Sequence, residues 1–351
     1  MTTQTESTEM KTLPFQNYVK PEIFQEEQEK IFARSWHYVG HISQVQKKGD
    51  FFRFDIAGEP ILVTRGNDDV VRAFYNVCPH RGAEVELKQA GNKKILQCPY
   101  HGWTFTLDGN LHKAPNFKGE GPCAEHSRLR ELRLEIHNAL MFVTLNDNAP
   151  SFAEEYKELL NDINRFTFMH NLKRVRVNQR VIKSNWKAVI DNYLECDHCP
   201  IAHPGFVNTI DMSNYKIVNC ENYTYQYGDI KEEKQQDYVG DDKTSRFYWI
   251  WPNMFASFYP GSNSVTTSQI IPIDADNTLA IYSYYFENEE LTEEQEETIR
   301  FVDQVREEDF ALVESLQIGL RSRAYEAGVY SPTEHGLRYF HSKVRQAMDQ
   351  S

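Results

Sequence analysis

Apolar positions along this chain follow two periods that alternate. Between residues 14 and 38 they fall at helical spacing, with Phe24, Ile31, Phe32 and Trp36 on one face of an amphipathic stretch. From about 39 to 148 the texture changes to short runs such as FFRFDI, PILVTR and VVRAFYNV, bounded by Gly58, RGNDD and LDGN. These predict strands joined by hairpins in a small all-β module. NAPSFAEEYKELLNDINRF then reads as a helix leading into a second region. There RVRVNQRVIK is strand-like, and SNWKAVIDNYLECDHC is helix-like with Ser184 as its N-cap. RFYWIWPNMFASFYP, SVTTSQIIPI and TLAIYSYYF predict strands of a larger sheet. A long helix is expected from about Thr292 to Arg323, opened by the capping box Thr292-x-x-Gln295. The stretch DIKEEKQQDYVGDDKTS reads as a polar surface loop.

The 351 residues suffice for one large or two ordinary domains. A net charge of −13 argues against nucleic acid, since phosphate binding needs a basic surface. No run approaches the roughly 20 apolar residues of a membrane helix. The polar start MTTQTESTEMKTLPF has no apolar signal core, so a cytoplasmic protein is expected. In that compartment the six cysteines read better as metal ligands than as a disulfide framework.

Two Cys-His pairs stand close together: Cys78-x-His80 and Cys98-x-x-His101, each beside a Pro and a Gly. Two thiolates and two imidazoles can hold a zinc ion tetrahedrally, or a [2Fe–2S] cluster with both cysteines on one iron and both histidines on the other. Zinc fingers usually open with two cysteines and close with two histidines. Here each loop supplies one of each in the same order, so two similar loops can clasp a cluster from opposite sides. CPHRG…CPYHGW resembles the Rieske arrangement at every motif position.

DNYLECDHCPIAH, residues 191 to 203, carries the second constellation. On a helix Asn192, Glu195 and His198 share one face. Pro200 then disturbs the helix and lets His203 turn back toward His198. Two histidines and one carboxylate make the facial triad of a non-haem Fe(II) oxygenase. A di-iron bundle would need two Glu-x-x-His copies, and only His198 among the twelve histidines has Glu three residues before it. Asp309 supplies the carboxylate, because it falls within the apolar stripe Val302, Val305, Leu312, Leu316 and Leu320 of the long helix. A carboxylate on a buried face needs a metal or a cation such as Arg306 or Arg323, and beside two histidines the metal is the better reading.

With IFARSW, the two Cys-His loops, DNYLECDHCPIAH and REEDFALVESLQIGLRSR, the chain resembles the catalytic α subunit of a Rieske non-haem iron oxygenase over nearly its full length. The resemblance implies an α+β fold: an all-β Rieske domain, 39–148, inserted near the N-terminus of a helix-grip catalytic domain of antiparallel sheet plus helices, 149–351, to which segment 1–38 belongs. It implies a homotrimer in which the cluster of one subunit, held by Cys78, His80, Cys98 and His101, feeds the mononuclear iron of its neighbour, held by His198, His203 and Asp309. His101 is then the cluster ligand nearest the interface, Glu195 the bridge, His198 the receiving ligand, and Asn192 a neighbour of the iron. A carboxylate bridge can accept a hydrogen bond from each imidazole. O₂ and a separate reductase drawing on NAD(P)H are implied as well, and no G-x-G-x-x-G fingerprint provides for flavin or nicotinamide within the chain.

Aromatic-ring dioxygenases usually bridge with Asp, whereas this chain has Glu195. That departure, with LVESLQIGLRSRAYEAG and SPTEHGLRYFH, resembles the branch acting on quaternary ammonium compounds such as carnitine, choline, glycine betaine and stachydrine. The implied reaction inserts one oxygen atom beside the nitrogen, leaving a hydroxylated product or an aldehyde and an amine. A quaternary ammonium is best held by aromatic faces. Candidates are Tyr248, Trp249, Trp251, Phe255, Phe258 and Tyr259, together with Tyr193, Phe206 and Tyr215; for each singly, core packing is the commoner role. Cys196 and Cys199 read as helix-packing thiols, with Cys123 and Cys220 unassigned. The alternatives are an aromatic-ring hydroxylase of the same architecture and a pure electron carrier, which would have two irons per chain where the oxygenase has three.

Overall fold

The computed structural model describes residues 11–349 except 116, 118–120, 124, 125, 238–241 and 262. The start of the polar N-terminal segment and the centre of the polar loop stretch thus lie outside the described residues. The chain forms two compact units, one of residues up to Ile31 with those from Asn171 onward, the other Phe32–His170.

Two short helices open the described chain, α1 (Gln16–Val19) and α2 (Pro21–Glu27), followed by a π turn, Gln28–Phe32. Ile31 and Phe32 are buried as the periodicity predicts. Trp36 is buried too, but it begins a strand instead of continuing the helix. It lies at the head of the β unit, where its ring meets Phe152 edge-on and its indole N–H donates to Pro150 O at 3.1 Å.

The β unit holds β1 (Trp36–His41), β2 (Asp50–Ile56), β3 (Glu59–Arg65), β4 (Val71–Tyr75), β5 (Ala90–Asn92), β6 (Leu96–Gln97), β7 (Thr104–Phe105), β8 (Leu111–Lys113), β9 (Glu131–His137) and β10 (Leu140–Thr144). A seven-stranded sheet runs β1-β10-β9-β4-β3-β2-β5, and a small three-stranded sheet runs β6-β7-β8. Phe51, Leu62, Phe74, Leu96, Trp103 and Phe105 form an apolar cluster around Cys78 and Cys98. The predicted helix appears as two pieces on this unit, α3 (Phe152–Glu155) and α4 (Lys157–Ile163), with a capping box between Ser151 and Glu154.

The other unit is built on β11 (Lys173–Ile182), α5 (Trp186–Tyr193), α6 (Cys199–Ala202), α7 (Pro204–Thr209), β12 (Lys216–Cys220), β13 (Tyr223–Asp229), β14 (Thr244–Ile250), β15 (Met254–Phe258), β16 (Ser264–Pro272), β17 (Thr278–Phe286), α8 (Glu293–Leu320) and α9 (His335–Asp349). Its seven-stranded antiparallel sheet runs β11-β17-β16-β15-β14-β13-β12. A sheet plus helices of this kind is the α+β architecture expected. Among the described residues no helix is long and apolar enough to cross a membrane.

Helix α8 carries the expected Thr292–Gln295 capping box. Its buried side is Val302, Phe310, Val313, Gln317 and Leu320, whereas Leu312 and Leu316 are each 42% exposed. The expected stripe therefore misses at Leu312 and Leu316 and holds at Val302 and Leu320. The sequence pattern could not reveal what turns the helix: a polar seam against edge strand β11. Arg176 makes a two-pronged pair with Glu296 at 3.0 and 2.8 Å, Asn178 donates to Asp303 at 3.1 Å, and Arg180 pairs with Glu307. Residues 176, 178 and 180 share one face of the strand by its period of two. Gln317 closes the seam by accepting from the backbone N–H of Asn185 at 3.0 Å. The start of α5 is thereby tied to α8.

Candidate active site

The two Cys-His loops of the β unit have the same backbone construction. Cys78 N–H donates to Ala83 O (2.8 Å) and Gly82 N–H returns to Cys78 O (2.9 Å). Cys98 N–H donates to Trp103 O (2.8 Å) and Gly102 N–H returns to Cys98 O (3.1 Å). Gly82 and Gly102 have φ of 73° and 70°, the left-handed region where a side chain is strained, which is why both turns close on glycine. Both cysteines are 2% exposed, and the two thiols lie beside each other. Burial, reinforced by the Cys98 thiol, pushes the Cys78 thiol up to about 11. The His80 and His101 rings meet edge-on with centroids 4.6 Å apart, and His80 stacks on Trp103 at 4.8 Å. Thiols point inward and imidazoles outward, a donor set that fits a [2Fe–2S] cluster.

In the larger unit, α5 ends at Tyr193, sooner than the periodicity predicts, and Asn185 is its N-cap in place of Ser184. Asn185 accepts from the N–H of Lys187 at 3.0 Å, while the Ser184 hydroxyl is buried without a partner among the described residues. Glu195 and His198 thus lie in a turn beyond the helix. Glu195 builds that turn: one carboxylate oxygen accepts from the N–H of Asp197 (2.6 Å) and of His198 (3.3 Å), and the other bonds His198 Nδ1. Pro200 then sits in the first turn of α6, where its missing N–H is no loss. His203 follows and comes back to His198 as expected, though the break precedes the proline.

His198, His203 and Asp309 come together with their ligand atoms all within 4.8 Å of one another. His198 Nε2 lies 3.1 Å from His203 Nε2 and 3.5 Å from Asp309 Oδ1, and His203 Nε2 lies 2.9 Å from that oxygen. Ligands about 2.1 Å from a metal and at right angles stand about 3 Å apart, so this spacing fits three cis positions. Each imidazole has its other nitrogen fixed by a carboxylate: His198 by Glu195, and His203 by Glu308 at 2.8 Å. That is the support metal-binding histidines need to keep Nε2 aimed inward. Burial opposes charge on His198, but Asp309 and Glu195 override it and push its pKa up to about 9. His203 is raised in the same way, and these partners hold Asp309 below its ordinary value against its burial.

Residues 35–131 match the Rieske [2Fe-2S] domain profile, and residues 169–350 match that of the ring hydroxylating alpha subunit (catalytic domain). The chain is 37% identical to the carnitine monooxygenase oxygenase subunit of Acinetobacter pittii, covering 95% of this chain and 94% of that protein. The chain belongs to the Rieske oxygenase α subunits. The oxygenase is also 29% identical to the choline monooxygenase of Spinacia oleracea, over 96% of this chain and 78% of that one. The solved structure of the quaternary ammonium Rieske monooxygenase CntA in complex with L-carnitine superposes with a TM-score of 0.88 at 36% identity, covering 97% of this chain and 96% of that one.

In the oxygenase the three donors open onto a cavity of about 140 Å³. Tyr193, Phe206, Tyr215, Phe255 and Tyr259, all sequence candidates, line it. Tyr193 and Phe255 stack face to face at 3.7 Å. Tyr248, Trp249, Trp251 and Phe258 do not line it. Tyr248 and Phe258 are on the opposite face of their strands, and Trp249 packs against Phe340. Phe247, Tyr282, Phe301 and Phe310 complete the wall without having been foreseen, although Phe247 shares the strand parity of Phe255 across the β14–β15 ladder. Asn192 lines the same cavity, with no side-chain hydrogen bond among the described residues. Arg306 and Arg323 do not pair with Asp309: Arg306 turns to Asp303 and Tyr284. Cys196 and Cys199 are joined in a disulfide rather than packed as separate thiols, so the turn bearing His198 is closed covalently.

Proposed function

We propose that this oxygenase is the terminal component of a two-component monooxygenase that hydroxylates or N-dealkylates a small quaternary ammonium compound of the carnitine, choline or betaine type. One observation carries the reading: the His198–His203–Asp309 group opens directly onto an aromatic-walled cavity of small-molecule size. Such walls attract a trimethylammonium group by cation–π interaction and give up no hydrogen bond, since that group can donate none. The carnitine and choline monooxygenases among the relatives support the same class. Aromatic-ring hydroxylation on the same architecture has no comparable support.

Cys78, His80, Cys98 and His101 would hold the [2Fe–2S] cluster, and His198, His203 and Asp309 the ferrous ion. Bound there, the cluster supplies single electrons and the iron supplies O₂ activation. Glu195 and Glu308 hold the two imidazoles in the tautomer that frees Nε2. The aromatic wall orients the ammonium end and keeps water from the reacting carbon, and Asn192 presents an amide beside it. Glu195 further serves as the bridge to His101 of a neighbouring subunit in a cytoplasmic homotrimer, with electrons from NAD(P)H through a separate reductase. In support, Tyr100, next to His101, is 62% exposed, and Ile201, between His198 and His203, is 89% exposed: apolar surface beside both centres suits docking. Substrate-dependent O₂ uptake across carnitine, choline and betaine against benzoate-type acids, with a surrogate reductase, tests the reading. Uptake coupled only to the acids would overturn it.

A further inference from the structure

The cavity wall contains one arginine and no lysine among the described residues: Arg306 on α8, one helical turn before Asp309. Its guanidinium lies over the ring of Tyr282 at 4.1 Å, and its side chain is 14% exposed. An arginine so enclosed would ordinarily be matched by a close carboxylate. Here the match is incomplete. Nη1 bonds the Tyr284 hydroxyl and reaches Asp303 only at 3.4 Å, and Nη2 reaches the neutral Ser268 hydroxyl at 3.4 Å. Asp303 is itself shared, accepting from Tyr284 and from Asn178. Five N–H donors in a planar fork suit a carboxylate gripped by two parallel bonds, and the contacts present leave that capacity unused.

The sheet beneath sets the span. Ser268 pairs with Tyr282 on one side and with Phe255 on the other, so Tyr282, Ser268 and Phe255 form a row across three adjacent strands. Arg306 covers the first two positions. Phe255, stacked on Tyr193, holds the third. One strand spacing is about 4.8 Å. Three carbons between a carboxylate carbon and a trimethylammonium nitrogen, when extended, set the two about 5 Å apart from bond lengths. We propose that Arg306 is a specificity-determining residue that receives the carboxylate of a zwitterionic ω-trimethylammonium acid, so that the substrate class is ammonium carboxylates rather than ammonium alcohols. This rests on the proposed function and narrows it.

The test uses Arg306→Gln and Arg306→Lys holoenzymes whose iron content and cluster absorption match the parent. Binding is read by calorimetry and turnover by O₂ uptake, with γ-butyrobetaine and carnitine set against choline. R306Q is expected to weaken binding and raise KM for the two acids by roughly 10- to 100-fold, as loss of a charge-assisted pair does, while choline moves less than about threefold. R306K keeps the charge but not the fork and should fall between; it carries the test if R306Q loses its metals. Equal affinity of parent and variants for the acids overturns the inference, as does an equal loss for acids and choline. If R306Q weakens binding of the acids but the parent oxidises no ammonium compound, the functional reading falls and the carboxylate site stands.

Discussion

Glu195→Ala separates two tasks that one side chain performs. The carboxylate fixes His198 through Nδ1 and closes the turn by accepting from two backbone N–H groups. A hydrogen bond to a charged group contributes about 1.5–3 kcal/mol, and loss of an imidazole's carboxylate support lowers metal affinity about 10- to 100-fold. The backbone donors are near solvent, Asp197 being exposed, so water replaces the lost acceptor there and the turn persists. The cluster donors lie on other loops and are untouched. At saturating iron, then, the variant should carry three irons per chain. If Glu195 only orients His198, turnover falls by about the same 10- to 100-fold; if it also links subunits, turnover falls to background and added iron restores nothing. Glu195→Gln keeps an acceptor for Nδ1 while removing the charge, and should recover iron affinity more than turnover. Iron analysis, cluster absorption and substrate-dependent O₂ uptake on the same sample decide it. Near-parental turnover of Glu195→Ala at full iron occupancy would refute the bridge role.

Iron loading should depend on pH. With His198 pushed up to about 9 and His203 also raised, iron binding at pH 7 expels the His198 proton and whatever proton His203 holds, so apparent affinity should rise by at least about tenfold per pH unit until about pH 9 and then level off; a flat chelator-competition titration over that range would count against it. In the iron-free protein the sign is opposite for stability. The raised pKa stabilises fully below about 6.5 and that stabilisation is lost as pH rises through about 9, so the apo protein's Tm should decline there while the loaded protein's does not. Glu27→Gln strips the charge from a buried partner of Lys187, a pair 2.6 Å apart with both side chains 0% exposed, and should lower stability by about 3–5 kcal/mol in thermal unfolding. Burial already lowers the Lys187 pKa, so the loss should shrink toward high pH; an unchanged Tm at pH 7 would refute it. Phe255→Ala removes one face of the stacked pair and should weaken binding of a trimethylammonium ligand by up to about tenfold more than that of its uncharged tert-butyl isostere, compared by calorimetry.

The cluster loops were readable from sequence because everything that shapes them is local: cysteine, proline, histidine and glycine at fixed offsets along each loop. The histidine pair was readable for the same reason. The local route between them was not, since the end of α5 depends on Glu195 turning its carboxylate to backbone N–H groups, which a helical period does not register. Asp309 was found through a stripe whose later members, Leu312 and Leu316, are exposed. It survived because Val302, Phe310 and Val313 place the true buried side only one position away. Arg306 was named only as a cation for Asp309. Its real surroundings, Tyr282, Tyr284 and Ser268, come from two strands that reach α8 only once the sheet has formed.

A turn is a poor support for metal ligands unless its flanks are held, and both flanks of this one are. Behind α5, Asp191 accepts from Tyr18 at 2.6 Å and from His341 Nε2 at 2.9 Å. The N–H of Leu13 donates to His341 Nδ1, which leaves the proton on Nε2, facing Asp191. Glu27 accepts from Trp186 and Lys187 on the same helix. In front, Gln317 holds the N-terminus of α5 to α8, the helix that brings Asp309. Segments from the beginning and end of the chain therefore lock one helix from behind while α8 locks it from the other side. With α5 immobilised, Glu195 need order only three following residues to aim His198. The length of chain around a short metal-binding turn thus has a physical purpose: ligands 106 residues apart, His203 and Asp309, meet at 2.9 Å because α5 is tied to α8 at the far end by Gln317 and His203 is held to α8 beside Asp309 by Glu308.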